Sequence, residues 1–278
     1  MIKDFANRLD YNIPSHLKRM VMGILTGETK EPISLSGQPM YATGFPLLVY
    51  SQGEVPHFRV NDTPLIPESN LNVAGQIGNI PITFSLKGIF GLTGIILHPT
   101  AAYYLFHKPG IHFLNTWESH EKASPIDSQP LYNNLSQTNE VNTRVALLLD
   151  FITELQKNQL PAIPWLDRAL DKIFETGGII EQSKIAEQAG VSLRHFRRVF
   201  KKVVGLSPKY YCKVIQLNTV FELLNTSNTE KLHHLALDCG YYDQSHFIRD
   251  FNNFIKTSPE NFLNGKYSYL KTYLGRHT

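Results

Sequence analysis

Residues 235–262, LALDCGYYDQSHFIRDFNNFIKTSPENF, repeat an earlier stretch, residues 185–211, IAEQAGVSLRHFRRVFKKVVGLSPKYY. Ala186 falls on Ala236 and Gly190 on Gly240, each 50 positions apart. From Phe196 on Phe247 through Arg198 on Arg249, Phe200 on Phe251, and Ser207 and Pro208 on Ser258 and Pro259, the spacing is 51. The turn after the glycine is therefore one residue longer in the second copy. A repeat of this period marks a duplicated supersecondary unit.

Each copy has the grammar of a helix-turn-helix. A short helix with a small residue facing its partner (Ala186, Ala236) stops at a glycine, which supplies the left-handed conformation common just past a helix end. A polar N-cap, Ser192 or Asp243, then opens a longer helix running to about Val204 or Ile255. Such motifs lay that second helix in the major groove of DNA. In the first copy Phe196, Val199, Phe200 and Val203 share one side, and Arg194, Arg197, Arg198 and Lys201 the other. With Lys202, this helix holds five basic residues and no acid. Most charge runs are solvated faces, but a purely cationic face on a groove-reading helix points to nucleic acid. Guanidinium groups match both phosphate oxygens and the guanine O6/N7 pair. The second copy turns Ser245, Ile248, Arg249 and Asn252 outward and Phe247, Phe251 and Phe254 inward, with Asn252 and Asn253 standing where the first has Lys201 and Lys202. Fewer phosphate contacts are expected there. Gln244 and Arg249 suit adenine and guanine, while Gln244 and Ser245 could equally cap the helix.

The pair of units, with GYYDQSHFIRDF and a following Ser-Pro in the second, resembles the DNA-binding domain of the AraC/XylS family of bacterial transcription regulators. The resemblance covers residues 165–266 and implies seven helices, two of which enter successive major grooves on one face of the duplex. It assigns base reading to Arg194, Arg197, Arg198, Gln244, Ser245 and Arg249. Lys201, Lys202, Ser192 and Asn252 are the expected phosphate contacts. The chain departs from the family pattern at Asn252 and Asn253 (usually basic), at Lys256 and Thr257 (a glycine before Ser-Pro is usual) and at Gln216 (commonly arginine).

The 278 residues suggest two domains. Residues 1–162 hold 11 Lys+Arg against 13 Asp+Glu, while residues 163–278 hold 16 against 11, so the basic half is the half with the repeat. That asymmetry is the footprint of a nucleic-acid-binding domain beside a domain with another task. Cys212 and Cys239 have no CxxC spacing and read as buried small residues in a reducing compartment. The first residues lack a secretory apolar core, and no run of about 18 apolar residues could span a membrane. A cytoplasmic, nucleoid-associated location is expected.

Residues 1–130 contain 12 of the 16 prolines and 11 of the 18 glycines, a texture of short strands and turns. Strands are expected over 21–25, 46–50, 57–60, 71–74, 82–86 and 92–98, forming a β-rich barrel or sandwich. A short helix is expected over 99–106. His98, His107, His112 and His120 show no metal-ligand spacing, and the GLTG of 91–94 reads as a strand kink or bulge. No catalytic constellation, cofactor motif or metal site is expected. Family members commonly carry an N-terminal cupin-like β-barrel that senses a small molecule or mediates dimerisation, and this half resembles a divergent version. No effector-binding residue follows. The alternatives for this half are a dimerisation module without a ligand, or a small-molecule enzyme fused to a DNA-binding module.

A polar loop is expected over 130–137. A helix over 139–158 then carries the stripe Val141, Val145, Leu148, Leu149, Ile152 and Leu155, which packs on the β-rich half or pairs two subunits. Residues 159–164 read as a stiff linker. A helix over 165–175 opens the DNA-binding half, and a helix from Ser207 to about Asn225 separates the repeats with a core stripe of Tyr210, Val214, Leu217, Phe221 and Leu224. At ~27 Å it approaches the spacing of successive major grooves. The α+β chain is thus divided into a β-rich sensory or dimerisation domain (1–130), a helix and linker (131–163) and an all-α DNA-binding domain (164–268) with helix-turn-helix motifs at 183–204 and 232–255. The expected function is sequence-specific regulation of transcription, as an activator and without catalysis. The expected partners are double-stranded promoter DNA, RNA polymerase, a small-molecule effector of the N-terminal domain and a second copy of the chain.

Overall fold

The computed structural model describes residues 7–226, 236, 237 and 239–261. Most of the short first helix expected in the second unit, from residue 232, lies outside the described residues, as do Leu235 and everything from Phe262 onward.

The N-terminal half is built of antiparallel strands. They are β1 (Asn7–Leu9), β2 (Val21–Glu28), β3 (Ile33–Met40), β4 (Leu47–Gly53), β5 (His57–Val60), β6 (Thr63–Leu65), β7 (Leu71–Ala74), β8 (Ile82–Gly88), β9 (Phe90–Leu97) and β10 (Trp117–Ser119). One sheet has the order β1-β2-β9-β4-β7-β10 and the other β3-β8-β5-β6. Side-chain alternation along β9 explains the layering. Phe90 and Leu92 join Phe58, Phe84 and Leu86 of the smaller sheet, whereas Ile95 and Leu97 face a helical layer. The expected strands all form, several of them longer than the expected span. The GLTG segment is no kink: residues 91–94 pair in register with both β2 and β4, and the irregularity falls instead between Val21 and Gly23.

The helices of this half are α1 (Ala101–Phe106), α2 (His120–Ala123), α3 (Gln129–Ser136) and α4 (Val141–Lys157). Helix α3 replaces the loop expected over 130–137. Its amide at Gln129 is held by the Asp127 carboxylate, and Leu131 and Leu135, one turn apart, are buried. Polar composition hid that two-residue apolar stripe. The α4 stripe is spent within the chain: Val145, Leu148, Leu149, Ile152 and Leu155 are buried in the core shared with the larger sheet. Arg144 beside them is fully buried, donating to Thr93 Oγ1 at 3.0 Å and pairing with Glu28 at 2.8 Å.

The C-terminal half comprises α5 (Pro164–Glu175), α6 (Gln182–Gln188), α7 (Leu193–Val204), α8 (Pro208–Thr226), α9 (Gln244–Ile255) and α10 (Pro259–Asn261). Helix α8 is apolar on two sides because it is sandwiched. Tyr211, Cys212 and Ile215 join the core of the first unit, and Leu217, Val220 and Phe221 that of the second. Both cysteines are buried and neither forms a disulfide, as expected.

The two halves are closely docked. Residues 159–164 act as an anchored crossing, not a spacer: Leu160 N–H donates to the Tyr104 carbonyl, and Ile163 N–H donates to the Tyr104 hydroxyl. Asp167 of α5 accepts from the hydroxyls of Thr100 (3.0 Å) and Tyr104 (3.2 Å), and His98 Nδ1 lies 2.8 Å from Thr100 Oγ1. Burial, with Arg19 nearby, depresses the His98 imidazole to about 4, and burial raises the Asp167 carboxyl. The segment between β3 and β4 wedges against α8. Tyr41 enters the core of the second unit, Phe45 packs on that of the first, Asn218 donates to the Thr43 carbonyl at 2.6 Å, and the Tyr211 hydroxyl donates to the Gly44 carbonyl at 3.1 Å. Gly110 meets the end of α7 so closely that an added Cβ would stand 2.4 Å from the Val203 carbonyl oxygen.

Candidate nucleic-acid interface

Both helices expected to read DNA start and stop as the sequence dictates. The Ser192 hydroxyl accepts from His195 N–H at 3.2 Å, and the Asp243 carboxylate accepts from His246 N–H at 2.7 Å. Capping at the second helix thus belongs to Asp243, leaving Gln244 and Ser245 exposed. At the far ends Gly205 (φ +90°) and Lys256 (φ +58°) both adopt the left-handed conformation that closes a helix. Lys256 does so without being glycine, which explains how the chain manages the departure from the family pattern at this position.

The buried faces follow the expected period. Phe196, Phe200, Val203 and Val204 are buried in α7, with Val199 half-buried. In α9 the third buried residue is Ile255 and not Phe254, which is half-buried and stacks on Tyr210 with ring centroids 4.9 Å apart.

The residues expected to read bases, Arg194, Arg197, Arg198, Gln244, Ser245 and Arg249, are all exposed, as are Lys201, Lys202, Ser192 and Asn252. The docked N-terminal half leaves these side chains in solvent. Two of the arginines are held: Arg197 Nε donates to Gln182 Oε1 at 2.9 Å, and an Arg198 guanidinium nitrogen lies 3.3 Å from His195 Nδ1. Such tethers reduce the rotamer freedom lost on binding. Ser192 Oγ is engaged as a cap, and the Lys202 ammonium lies over the Tyr103 ring of α1, 5.6 Å from its centroid. Sequence reasoning had no signal for that last contact, because Tyr103 lies 99 positions away. It also missed Gln182, which precedes the first reading helix by one short helix and becomes visible only once α6 and α7 are packed.

The units differ in charge. On α9 only Arg249 adds an exposed basic side chain, and Asp250 pairs with Lys213 of α8 at 2.9 Å. Gln216 donates to the Cys239 carbonyl at 2.7 Å, a buried bond joining α8 to the second unit.

Of the four histidines singled out in the sequence, His98 contacts Thr100, His112 contacts Glu118 and His120 contacts Ser128, while His107 ends α1 at φ +59°. Among the described residues no helix is long and apolar enough to cross a membrane.

A helix-turn-helix domain model matches residues 185–265. An uncharacterised HTH-type transcriptional regulator of Haemophilus influenzae is 34% identical over 83 residues, covering 30% of this chain and 27% of that one. The HTH-type transcriptional activator RhaS of Escherichia fergusonii is 27% identical over 143 residues, 47% of this chain and 49% of that one. The chain thus spans half or less of the length of these curated relatives. Among solved structures, ToxT from Vibrio cholerae O395 is similar over 87% of this chain and 97% of that one, at 12% identity and a TM-score of 0.47. That likeness is one of outline and carries no functional weight. The family-model match falls on the doubled motif and its two capped helices, so residues 185–265 form a helix-turn-helix domain similar to those of these HTH-type transcriptional regulators.

Proposed function

We propose that the chain is a sequence-specific DNA-binding regulator of transcription, acting as an activator that contacts RNA polymerase while its two units occupy adjacent turns of promoter DNA. The observation that supports this reading most is the joint exposure of six base-reading candidates on two helices capped alike and packed against the same α8. Arg194, Arg197 and Arg198 read guanine-containing positions in the first groove, and Gln244, Ser245 and Arg249 read the second. Lys201, Lys202, Ser192 and Asn252 hold phosphates, Lys202 by exchanging the Tyr103 ring for the backbone. We divide the chain at 1–130, 131–163 and 164–268, with the first part serving as a sensory module. The docking of the 41–45 segment on α8 offers a route by which an effector of that module would act on both units together.

Selection of bound sequences from a random duplex library by the full-length chain, at two salt concentrations, tests the reading. Two blocks of base preference about one helical turn apart are expected. Recovery of duplexes without any base preference would reduce the chain to a non-specific binder.

A further inference from the structure

We propose that Tyr242 is a DNA-backbone contact of the second unit, its phenolic hydroxyl donating to a phosphate oxygen beside the N-terminus of α9. The inference rests on the DNA-binding reading above and adds a residue that the family resemblance does not assign.

The repeat isolates this residue. In the first unit Gly190 is followed by Val191 and the cap Ser192; in the second, Gly240 is followed by Tyr241, Tyr242 and the cap Asp243. Val191 packs on the first core and Tyr241 is buried in the second, so these two correspond. Tyr242 is then the extra residue of the longer turn. It is 89% exposed, the most exposed large apolar side chain among the described residues, and so contributes nothing to packing. It immediately precedes the cap of the reading helix, at the end where Gln244 and Ser245 are also exposed.

The charge balance of the unit gives the position a task. Asn252 and Asn253 replace two lysines, the Lys256 ammonium donates to Asn79 of the N-terminal half at 3.0 Å, and Lys213 is paired with Asp250. The capping Asp243 carboxylate also adds negative charge next to Tyr242 at the start of α9. Beyond the Asn252 amide farther along α9, a phosphate contact at the start of this helix therefore calls for a neutral donor, and tyrosine hydroxyls are among the groups that make such contacts. A phenol does so while offering its ring to the neighbouring sugar.

The test uses the full chain and the duplex recovered by selection, with dissociation constants measured across a salt series. Tyr242→Phe should weaken binding roughly threefold to tenfold, the range of a lost hydrogen bond. The log–log salt slope should not change, because a neutral donor releases no counterion. Tyr242→Lys should bind at least as well as the wild type and steepen the slope by about one. A phenylalanine variant that binds like the wild type overturns the proposal, as does a lysine variant that leaves the slope unchanged. Since the side chain is exposed, these variants keep the fold. If the wild type selects no duplex, both this proposal and the DNA-binding reading fail; if it selects one and the variants match it, only this proposal fails.

Discussion

The two helix-turn-helix units share a plan and differ in how they are charged and how they are held. The first presents five basic residues on α7, and its end is pressed backbone to backbone against Gly110. The second presents amides, one arginine and an exposed tyrosine on and before α9, and is held by the Tyr41 side chain and the Lys256–Asn79 bond. Duplication kept what the fold requires: the small residue, the glycine, the cap and the phenylalanines. Outward-facing chemistry was free to diverge. Each of the following measurements would break or sharpen that contrast.

The largest effect is expected at the docking of the first unit. Gly110→Ala would place a carbon 2.4 Å from the Val203 carbonyl oxygen and 2.5 Å from Gly205 N, both backbone atoms. Overpacking of this kind costs about 1–3 kcal/mol. A lowered midpoint of thermal unfolding is expected, and an unchanged midpoint would mean that the contact gives way freely.

The polar network at α5 should make stability pH-dependent. His98 is neutral in the fold with its pKa lowered to about 4, so its contribution is complete above the ordinary value of 6.5 and is lost as the pH falls from there toward 4. The full loss is bounded at about 3 kcal/mol. The raised carboxyl of Asp167 opposes it, since the folded chain holds that proton more tightly and gains as acid is added. Thermal unfolding at pH 7 and pH 4.5 should show a smaller loss for His98→Gln than for the wild type. Parallel losses would place the acid sensitivity elsewhere.

For base reading, Arg197→Ala should cost about 1–3 kcal/mol on the selected duplex and relax preference at one position in the first block only. Arg249→Ala should do the same in the second block. Uniform loss on all sequences would demote either residue to a phosphate contact.

Removing the caps compares the units as scaffolds. Ser192→Ala and Asp243→Ala should each lower stability by about 1 kcal/mol, read in denaturant unfolding. A large inequality would show that one unit depends less on its helix start.

The smallest effect is the charge contrast itself. Lys201→Ala should flatten the salt slope by about one, and Asn252→Lys should steepen it by as much. No response to Asn252→Lys would place that end of α9 away from the backbone.

Most of the C-terminal half was legible because its signals are local: caps, glycines and a 3.6-residue apolar period over α7 and α9. The strands over 57–60 and 71–74 were legible for similar reasons, bounded by turn residues. Strands β1, β3, β6 and β10 were not, β1 being only three residues long. The residues of β3, β6 and β10 are largely half-buried or exposed, and Pro39 and Pro64 lie within β3 and β6, so neither apolar runs nor clean alternation marked these three. Helix α3 was hidden by its polar composition. At the candidate interface, the exposure of the residues proposed to read bases followed from amphipathicity. The Gln182–Arg197 tether and the Lys202–Tyr103 contact join separate elements and required the packed chain.

The 41–45 segment has a consequence for anyone who would cut the molecule. It supplies the carbonyls that satisfy the buried Asn218 amide and Tyr211 hydroxyl, and the aromatic ring that completes the core of the second unit. A reading fragment severed at residues 159–163 would inherit a raw seam along α8, with two buried polar groups stripped of their acceptors. To travel as an independent part, that fragment would need the seam recoated, with Asn218 and Tyr211 as the first positions to redesign.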